Sequence, residues 1–452
     1  MKRITSSQVR LYAGVVCLLG LTACSSGGGG SSSTPTQTAP VITTQPTGQT
    51  VTAPSTATFT VVATGNPTPT YQWDLNGAAI QGATSATYTT PATTTAMSGG
   101  SYTCEVANSD GSVTSAAVTL TVNPAVSAPP GATFAGSVND GTKSIPCTWT
   151  DGSRTNLAGD GTHAAMAFSP VVVAGSSILV PGFYNDGTKN IACTWNNGVR
   201  TDLAGGGLAT DSSFALAIAE DGGTVYTAGY YSDSSATPTK NVPCYWNGSS
   251  RVDLPCTATQ GYAFGIAVSG GTVYCAGSYY SGSGDVPQLW TNTAPTNLPG
   301  LLTPSVGDAT SVIVSGSTVI VGGMVGNGTE DVPCIWTGTT LSTLPMVGPA
   351  VGGQVCALAM VDGTLYAGGN LWSSGLDVPC WWSGGVCTTL PVITNGLVEA
   401  IQVVQGSVIC AGYYTTSNDV TTPCLWQSGD RTDLPMLGTN GGEVVCGWWV
   451  LD

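Results

Sequence analysis

The chain has 452 residues and a formal net charge of −15, from 25 acidic and 10 basic side chains. That balance argues against a nucleic acid or an anionic membrane face as partner, because both call for a basic patch. With 62 glycines, one histidine and only 8% charged residues, the composition excludes histidine-rich metal sites and fits an exported β-protein long enough for more than one core.

Residues 1–24 read as an export signal. Lys2, Arg3 and Arg10 make a positive start, and Leu11 to Leu21 form an apolar stretch too short to span a bilayer. The ending Leu21-Thr22-Ala23-Cys24 resembles the bacterial lipobox, which implies lipid on Cys24; a plain secretory signal with a coincidental cysteine is the alternative. Ser25, in place of an aspartate, resembles the outer-membrane sorting pattern of enterobacterial lipoproteins and leaves the periplasmic or cell-surface side open. Residues 25–38, rich in Gly, Ser and Thr, have nothing apolar to bury and read as a flexible tether. The expected protein is anchored to a membrane by lipid and not threaded through it. Without residues 1–24, 25 acids and seven bases remain, a net charge of 7 − 25 = −18.

Residues 39–123 carry Tyr71-Gln72-Trp73 and Gly99-Gly100-Ser101-Tyr102-Thr103-Cys104. The segment resembles a bacterial immunoglobulin-like domain: Trp73 stands where the buried tryptophan of strand C belongs, and Tyr102, two residues before Cys104, matches the tyrosine corner. Gly111 to Ser115 then reads as the F–G turn and Ala117 to Val122 as strand G. Val61 occupies the position of the first cysteine, so the inter-sheet disulfide is absent and Cys104 is expected to be a buried free thiol. The resemblance implies a spacer, with an adhesive role as the alternative. Residues 124–130 are a linker.

From residue 131 onward one pattern recurs seven times, a tryptophan followed eight residues later by a leucine. The tryptophans are Trp149, Trp195, Trp246, Trp290, Trp336, Trp382 and Trp426. A glycine ending an apolar run sits thirteen residues before five of them, and Gly229 and Gly412 serve the other two. A fixed period in the mid-forties signals a repeat architecture. Each unit shows four short strand signals; in the fourth these are Tyr262–Val268, Thr272–Gly277, Val286–Trp290 and Pro295–Leu298. The pairs Asp151-Gly152 and Asn197-Gly198 are strong two-residue hairpin signals.

Four strands in seven units predict a seven-bladed β-propeller over 131–452, so the whole chain is expected to be all-β. The first unit starts at its second strand, Ala132 to Gly136, and the chain ends on Val444 to Val450, a strand with no unit after it. Ring closure by the C-terminal strand is the simplest solution. Gly322-Gly323, Gly368-Gly369 and the span Trp336 to Leu344-Pro345 resemble kelch repeats, although Ala-Gly replaces the double glycine in most units. The resemblance implies architecture more than activity.

Six cysteines (Cys147, Cys193, Cys244, Cys334, Cys380 and Cys424) stand two residues before a tryptophan and are expected to pack as small hydrophobes, held apart by the repeat. No CxxC spacing occurs, and no metal or cofactor is expected. His163, in a connecting loop, is a poor base candidate; no catalytic residues are assigned, although paired carboxylates for glycoside cleavage stay open. Arg154, Arg200, Arg251 and Arg431 each follow a tryptophan by five residues, a spacing expected to stack guanidinium on indole across the hairpin.

The candidate binding residues are Tyr184, Tyr231, Tyr280, Trp372 and Tyr414, just past the second-strand glycine, where polar loops gather; the longest is Ser232 to Asn241. Aromatic faces amid short polar groups suit a sugar ring or a protein partner. The alternative is that one residue of each aromatic pair packs between units and only its neighbour is exposed. The expected function is non-catalytic recognition of a glycan or protein by this rim. A periplasmic scaffold for envelope assembly and a polysaccharide-active enzyme are the alternatives.

Overall fold

The computed structural model describes residues 37–123 and 132–444, apart from 54, 169–171, 175–176, 257–259, 304, 374, 393, 405, 417–419, 428 and 438–440. Cys24, the export signal, most of the tether, the linker 124–130 and residues 445–450 lie outside the described residues. Among those described, strands alternate with turns throughout and the one helix is a single 3-10 turn, Thr95–Met97. The chain divides into two compact units, the first containing Thr58–Thr90 and Gly99–Leu120, the second dominated by the chain after Thr121.

The first unit is an antiparallel sandwich. One sheet runs Val118–Asn123, Ser101–Asn108, Thr70–Leu75, Ala78–Ala79 in spatial order. Thr38–Thr44 pairs with Val62–Asn66, and Thr58–Thr60 with Thr87–Thr89. Alternation along these strands turns Phe59, Val61, Trp73, Tyr102 and Cys104 inward, all at most 1% exposed. Trp73 lies directly opposite Cys104, and its Nε1 donates to the Ser85 carbonyl at 3.0 Å. The Tyr102 ring stacks on Phe59 at 4.5 Å between centroids. Cys104 is a free thiol, and burial pushes it up to about 11. The turn read at Gly111 to Ser115 lies earlier, at Ser109-Asp110. Gly111–Thr114 is itself a strand, paired with Glu105–Asn108, because the Asn108 side chain accepts from the Asp110 amide and closes the turn there.

Among the described residues the second unit holds seven antiparallel sheets. The fourth is representative: Gly261–Ser269, Thr272–Tyr280, Asp285–Thr291 and Ala294–Asn297 pair in chain order. The third, fifth, sixth and seventh sheets repeat this order. In the second, Ala165–Ala167 and Val172–Ala174 share the first-strand place. The first sheet takes its first strand from the far end of the chain. Gly442–Val444 pairs with Thr133–Asn139, with Gly136 opposite Val444.

Asp151 and Gly152 adopt φ of 52° and 78°, and Asn197 and Gly198 of 48° and 82°. These left-handed pairs make the hairpins legible from the sequence. The recurring glycine has a steric cause: a Cβ on Gly277 would lie 1.9 Å from the Tyr262 carbonyl oxygen, and one on Gly182 would lie 2.6 Å from the Trp195 ring.

One hydrogen bond recurs around the unit. Trp195 Nε1 donates to the Ala158 carbonyl at 2.8 Å, just past the leucine of the preceding sheet. Trp246, Trp290, Trp336, Trp382 and Trp426 do the same with Ala204, Pro255, Pro299, Pro345 and Pro391. Trp149 of the first sheet donates to Pro435, just past the leucine of the seventh. Buried apolar clusters follow the same order. One joins each sheet to the next, and another joins Ile409, Ala411 and Leu425 of the seventh to Phe134, Val138 and Trp149 of the first. The six repeat cysteines are free, fully buried members of these clusters.

Candidate functional site

In every sheet the second strand ends, and the third begins, at the same rim, so side chains just past the glycine gather there. Two residues past the glycine, Tyr184, Tyr231 and Tyr414 are 7%, 7% and 5% exposed. These three do not offer free faces. The guanidinium of Arg200 lies 3.7 Å from the Tyr184 ring centroid, that of Arg251 lies 3.9 Å from Tyr231, and that of Arg431 lies 3.7 Å from Tyr414.

An aspartate completes each set. Tyr184, Tyr231 and Tyr414 donate their hydroxyls to Oδ2 of Asp202, Asp253 and Asp433 at 3.1, 3.2 and 3.0 Å. Oδ1 of the same aspartates accepts from the arginine Nε at 3.1, 2.7 and 3.2 Å. Burial, together with the neighbouring carboxylate, pushes Tyr231 and Tyr414 up to about 12.

The register expectation behind the arginines holds, since Trp195 is directly opposite Arg200. The stacking partner differs. Trp195 is fully buried, and the arginine reaches along the same strand face to the tyrosine, where the aspartate fixes it. In the first sheet Val138 takes the tyrosine place, and Arg154 Nη1 instead donates to the Pro435 carbonyl at 3.4 Å.

Of the other expected rim aromatics, Tyr280 is half-buried and donates its hydroxyl to the Gly282 carbonyl at 3.2 Å. Trp372 is half-buried too, laid over Gly352, where an added Cβ would meet its ring at 2.5 Å. The long loop shortens to 234–239, because Asp233 and Lys240 already pair as strand residues.

Tyr279, the fourth-sheet counterpart of Tyr184, Tyr231 and Tyr414, was not singled out by sequence reasoning. It is half-buried and borders a groove of about 800 Å3 with Ser281, Asn297, Leu302, Thr303 and Ser305. The signal was in the repeat itself. Where the other three tyrosines come with arginine and aspartate, this sheet has Pro295 and Asn297.

The rim also gathers carboxyls. Asp308 opens the first strand of the fifth sheet; burial, with Asp285 and Asp331 nearby, pushes it up to about 7 against a hydrogen bond from Ser278. Burial raises Asp285, Asp331 and Asp377 as well. His163 contacts Asp160 through Nδ1 at 2.5 Å in an exposed loop, away from these carboxyls in the chain. Among the described residues no group of three or more His, Cys, Asp or Glu is placed to hold a metal ion. A second cavity, of about 460 Å3, lies among the first strands of sheets three to seven; Ile218, Ile266, Val312, Leu358 and Ile401 give it an apolar lining. No helix among the described residues is long and apolar enough to cross a membrane.

Residues 39–108 match the family described as an immunoglobulin domain, so the first unit is an immunoglobulin-like domain. Over 92 residues the chain is 42% identical to Endoglucanase C of Cellulomonas fimi; the match covers 20% of this chain and 8% of that relative's length. Among solved structures, titin domain M7 is 40% identical over 20% of this chain and 98% of its own, with a TM-score of 0.18. The tandem Ig repeats of Dlar are 27% identical over 19% and 48%, with a TM-score of 0.18.

Proposed function

We propose that the protein is a lipid-anchored, extracytoplasmic binding protein of the bacterial outer membrane. Cys24 carries the lipid, residues 25–38 are the tether, and the immunoglobulin-like domain is a spacer. The region after residue 131 is a kelch-like, seven-bladed β-propeller whose loop-bearing rim recognises a glycan or protein without catalysis. The cyclic series of tryptophan bonds and apolar clusters, in which the seventh sheet meets the first, supports the ring. One observation carries the binding role. Tyr279 stands half-buried beside a wide groove at the rim, whereas the corresponding tyrosines of three other sheets are capped.

The test is binding of the purified chain to arrayed glycans and to envelope proteins, paired with protease shaving of intact cells. A specific rim-dependent ligand and loss of the second unit to external protease support surface recognition. Resistance to shaving, with capture of envelope-assembly partners, would move the periplasmic scaffold ahead.

The carboxyls around Asp308 favour an enzyme as the second reading, since an acid titrating near neutrality beside other carboxylates is how general acids are prepared. Polysaccharide turnover abolished by Asp308→Asn would establish it. A named endoglucanase among the relatives makes glucans the first substrates to try.

A further inference from the structure

We propose that the groove beside Tyr279 is a subsite for a neutral sugar ring, which takes the place that an arginine fills in three sister sheets. This rests on the binding role above and specifies its ligand.

The repeat supplies its own controls. At Tyr184, Tyr231 and Tyr414 the ring face is occupied by a guanidinium, and the hydroxyl is spent on a carboxylate. In the fourth sheet the arginine is Pro295, directly opposite Trp290, and the aspartate is Asn297, directly opposite Gln288. Among the described residues no guanidinium caps the Tyr279 ring from the arginine position, and Tyr279 borders the groove.

The hydrogen-bond direction reverses as well. Gln288 Nε2 donates to Asn297 Oδ1 at 2.7 Å, and Asn297 Nδ2 donates to the Tyr279 hydroxyl oxygen at 3.2 Å. In the sister sheets the hydroxyl is the donor to the aspartate; here it is an acceptor, and its own proton is left to give to a ligand.

Two ligand chemistries use a bare tyrosine face, a cation or the C–H face of a sugar ring. The counter-charge decides between them. Each capped guanidinium is held by a carboxylate at 2.7–3.2 Å, and Asn297 replaces that carboxylate with a neutral amide. A cation seated on Tyr279 would forgo this charge-assisted bond, worth about twice a neutral one. A sugar needs what remains, an aromatic face ringed by neutral donors and acceptors. Ser281, Ser283 and Thr303 line the groove, and Ser305 Oγ is buried there with no partner among the described residues. A volume of about 800 Å3 suits a ligand larger than a single small ion, within the range of about 300–1,000 Å3 usual for such sites.

The test transplants the capped arrangement. The whole chain, purified in detergent, is titrated with a panel of neutral oligosaccharides and separately with an arginine-rich peptide. Wild type, Pro295→Arg/Asn297→Asp and Tyr279→Ala are compared, each with its melting curve. The double variant installs the sister sheets' arginine and aspartate, so it fills the site from within. The expected result is a neutral oligosaccharide bound by wild type and weakened at least tenfold in both variants, with melting curves unchanged. If the double variant fails to fold, Tyr279→Ala alone decides.

A saccharide bound equally well by every folded variant would overturn the subsite and leave rim recognition standing elsewhere. Binding of the peptide, and not the sugars, dependent on Tyr279, would overturn the sugar assignment in favour of a cation seat. No ligand of either kind, from folded protein that also captures no envelope protein, would bring down the binding role itself.

Discussion

Two stretches of the repeat unit, sheets two to four and sheets five to seven, share one backbone template but differ in what they place just past the recurring glycine. Through sheets two to four the layer beneath the rim is a chain of rings. Phe168, Phe183, Phe214, Tyr230, Tyr262 and Phe264 follow one another at 4.7–6.0 Å between centroids, alternately stacked, tilted and edge-on. In sheets five and six the corresponding positions hold Asp308 opposite Met324 and Gln354 opposite Asn370; the seventh keeps Leu397 opposite Tyr413, and Thr310 and Glu399 stand at the bulges of the fifth and seventh. Gln354, Asn370 and Glu399 are at most 1% exposed. The comparison teaches that tryptophan, glycine and leucine at repeat positions suffice to build each sheet, so the layer beneath the rim is free to differ from sheet to sheet. An aromatic stretch adds stability; a polar stretch gives some of it up, which is the usual signature of positions kept for something other than packing.

Substitutions break the comparison in a definite order. Phe214 lies between Phe183 at 5.0 Å and Tyr230 at 4.7 Å, so Phe214→Ala should cost about 3–5 kcal/mol in denaturant unfolding. A cost below about 1 kcal/mol would mean that the rings are not a structural unit. Gln354, its counterpart three sheets on, has both ends of its amide buried without partners among the described residues. Gln354→Leu should therefore stabilise, by about 1–3 kcal/mol, the cost of leaving such groups unpaired. Equal destabilisation by the two changes would erase the distinction between the stretches.

A subtler effect belongs to Asp308. Its folded-state pKa, about 7, lies above the 3.8 of an ordinary aspartate. The proton is thus bound more tightly in the folded chain, and the stability this contributes is fully present below about pH 4 and lost as pH rises through about 7. Unfolding of wild type followed between pH 4 and 8 should show this decline, and Asp308→Asn should flatten it. An unchanged slope in the variant would place the titration on another group.

How much of this was legible in the sequence follows from how each residue acts. The tryptophans fill one role in every sheet, with the indole fully buried and the N–H fixed on the preceding connection, so their period gave away sheet number and strand order. Trp73, Tyr102 and Cys104 likewise do in the sandwich what their spacing implied. The rim tyrosines are different. Whether a tyrosine face is free depends on a residue two strands away, Arg251 for Tyr231 and Pro295 for Tyr279, and period alone treats the two tyrosines alike. Comparing those positions across units, tyrosine against arginine and aspartate, would have separated them. The raised pKa of Asp308 was not legible at all, because it arises first from burial in the folded unit and then from Asp285 and Asp331 brought near it, and the sequence spacing carries no trace of either.

The proposed ring stands or falls on the pairing of Gly442–Val444 with Thr133–Asn139, on which the rim would depend. Gly442–Val444 is the only strand pairing with Thr133–Asn139 on its first-strand edge among the described residues. The direct test is thermal unfolding of the chain ending at residue 441, beside the full chain. Loss of the cooperative transition is the outcome expected of an opened ring with two exposed sheet edges. A truncated chain that melts as sharply, and at the same temperature, as the intact one would contradict it.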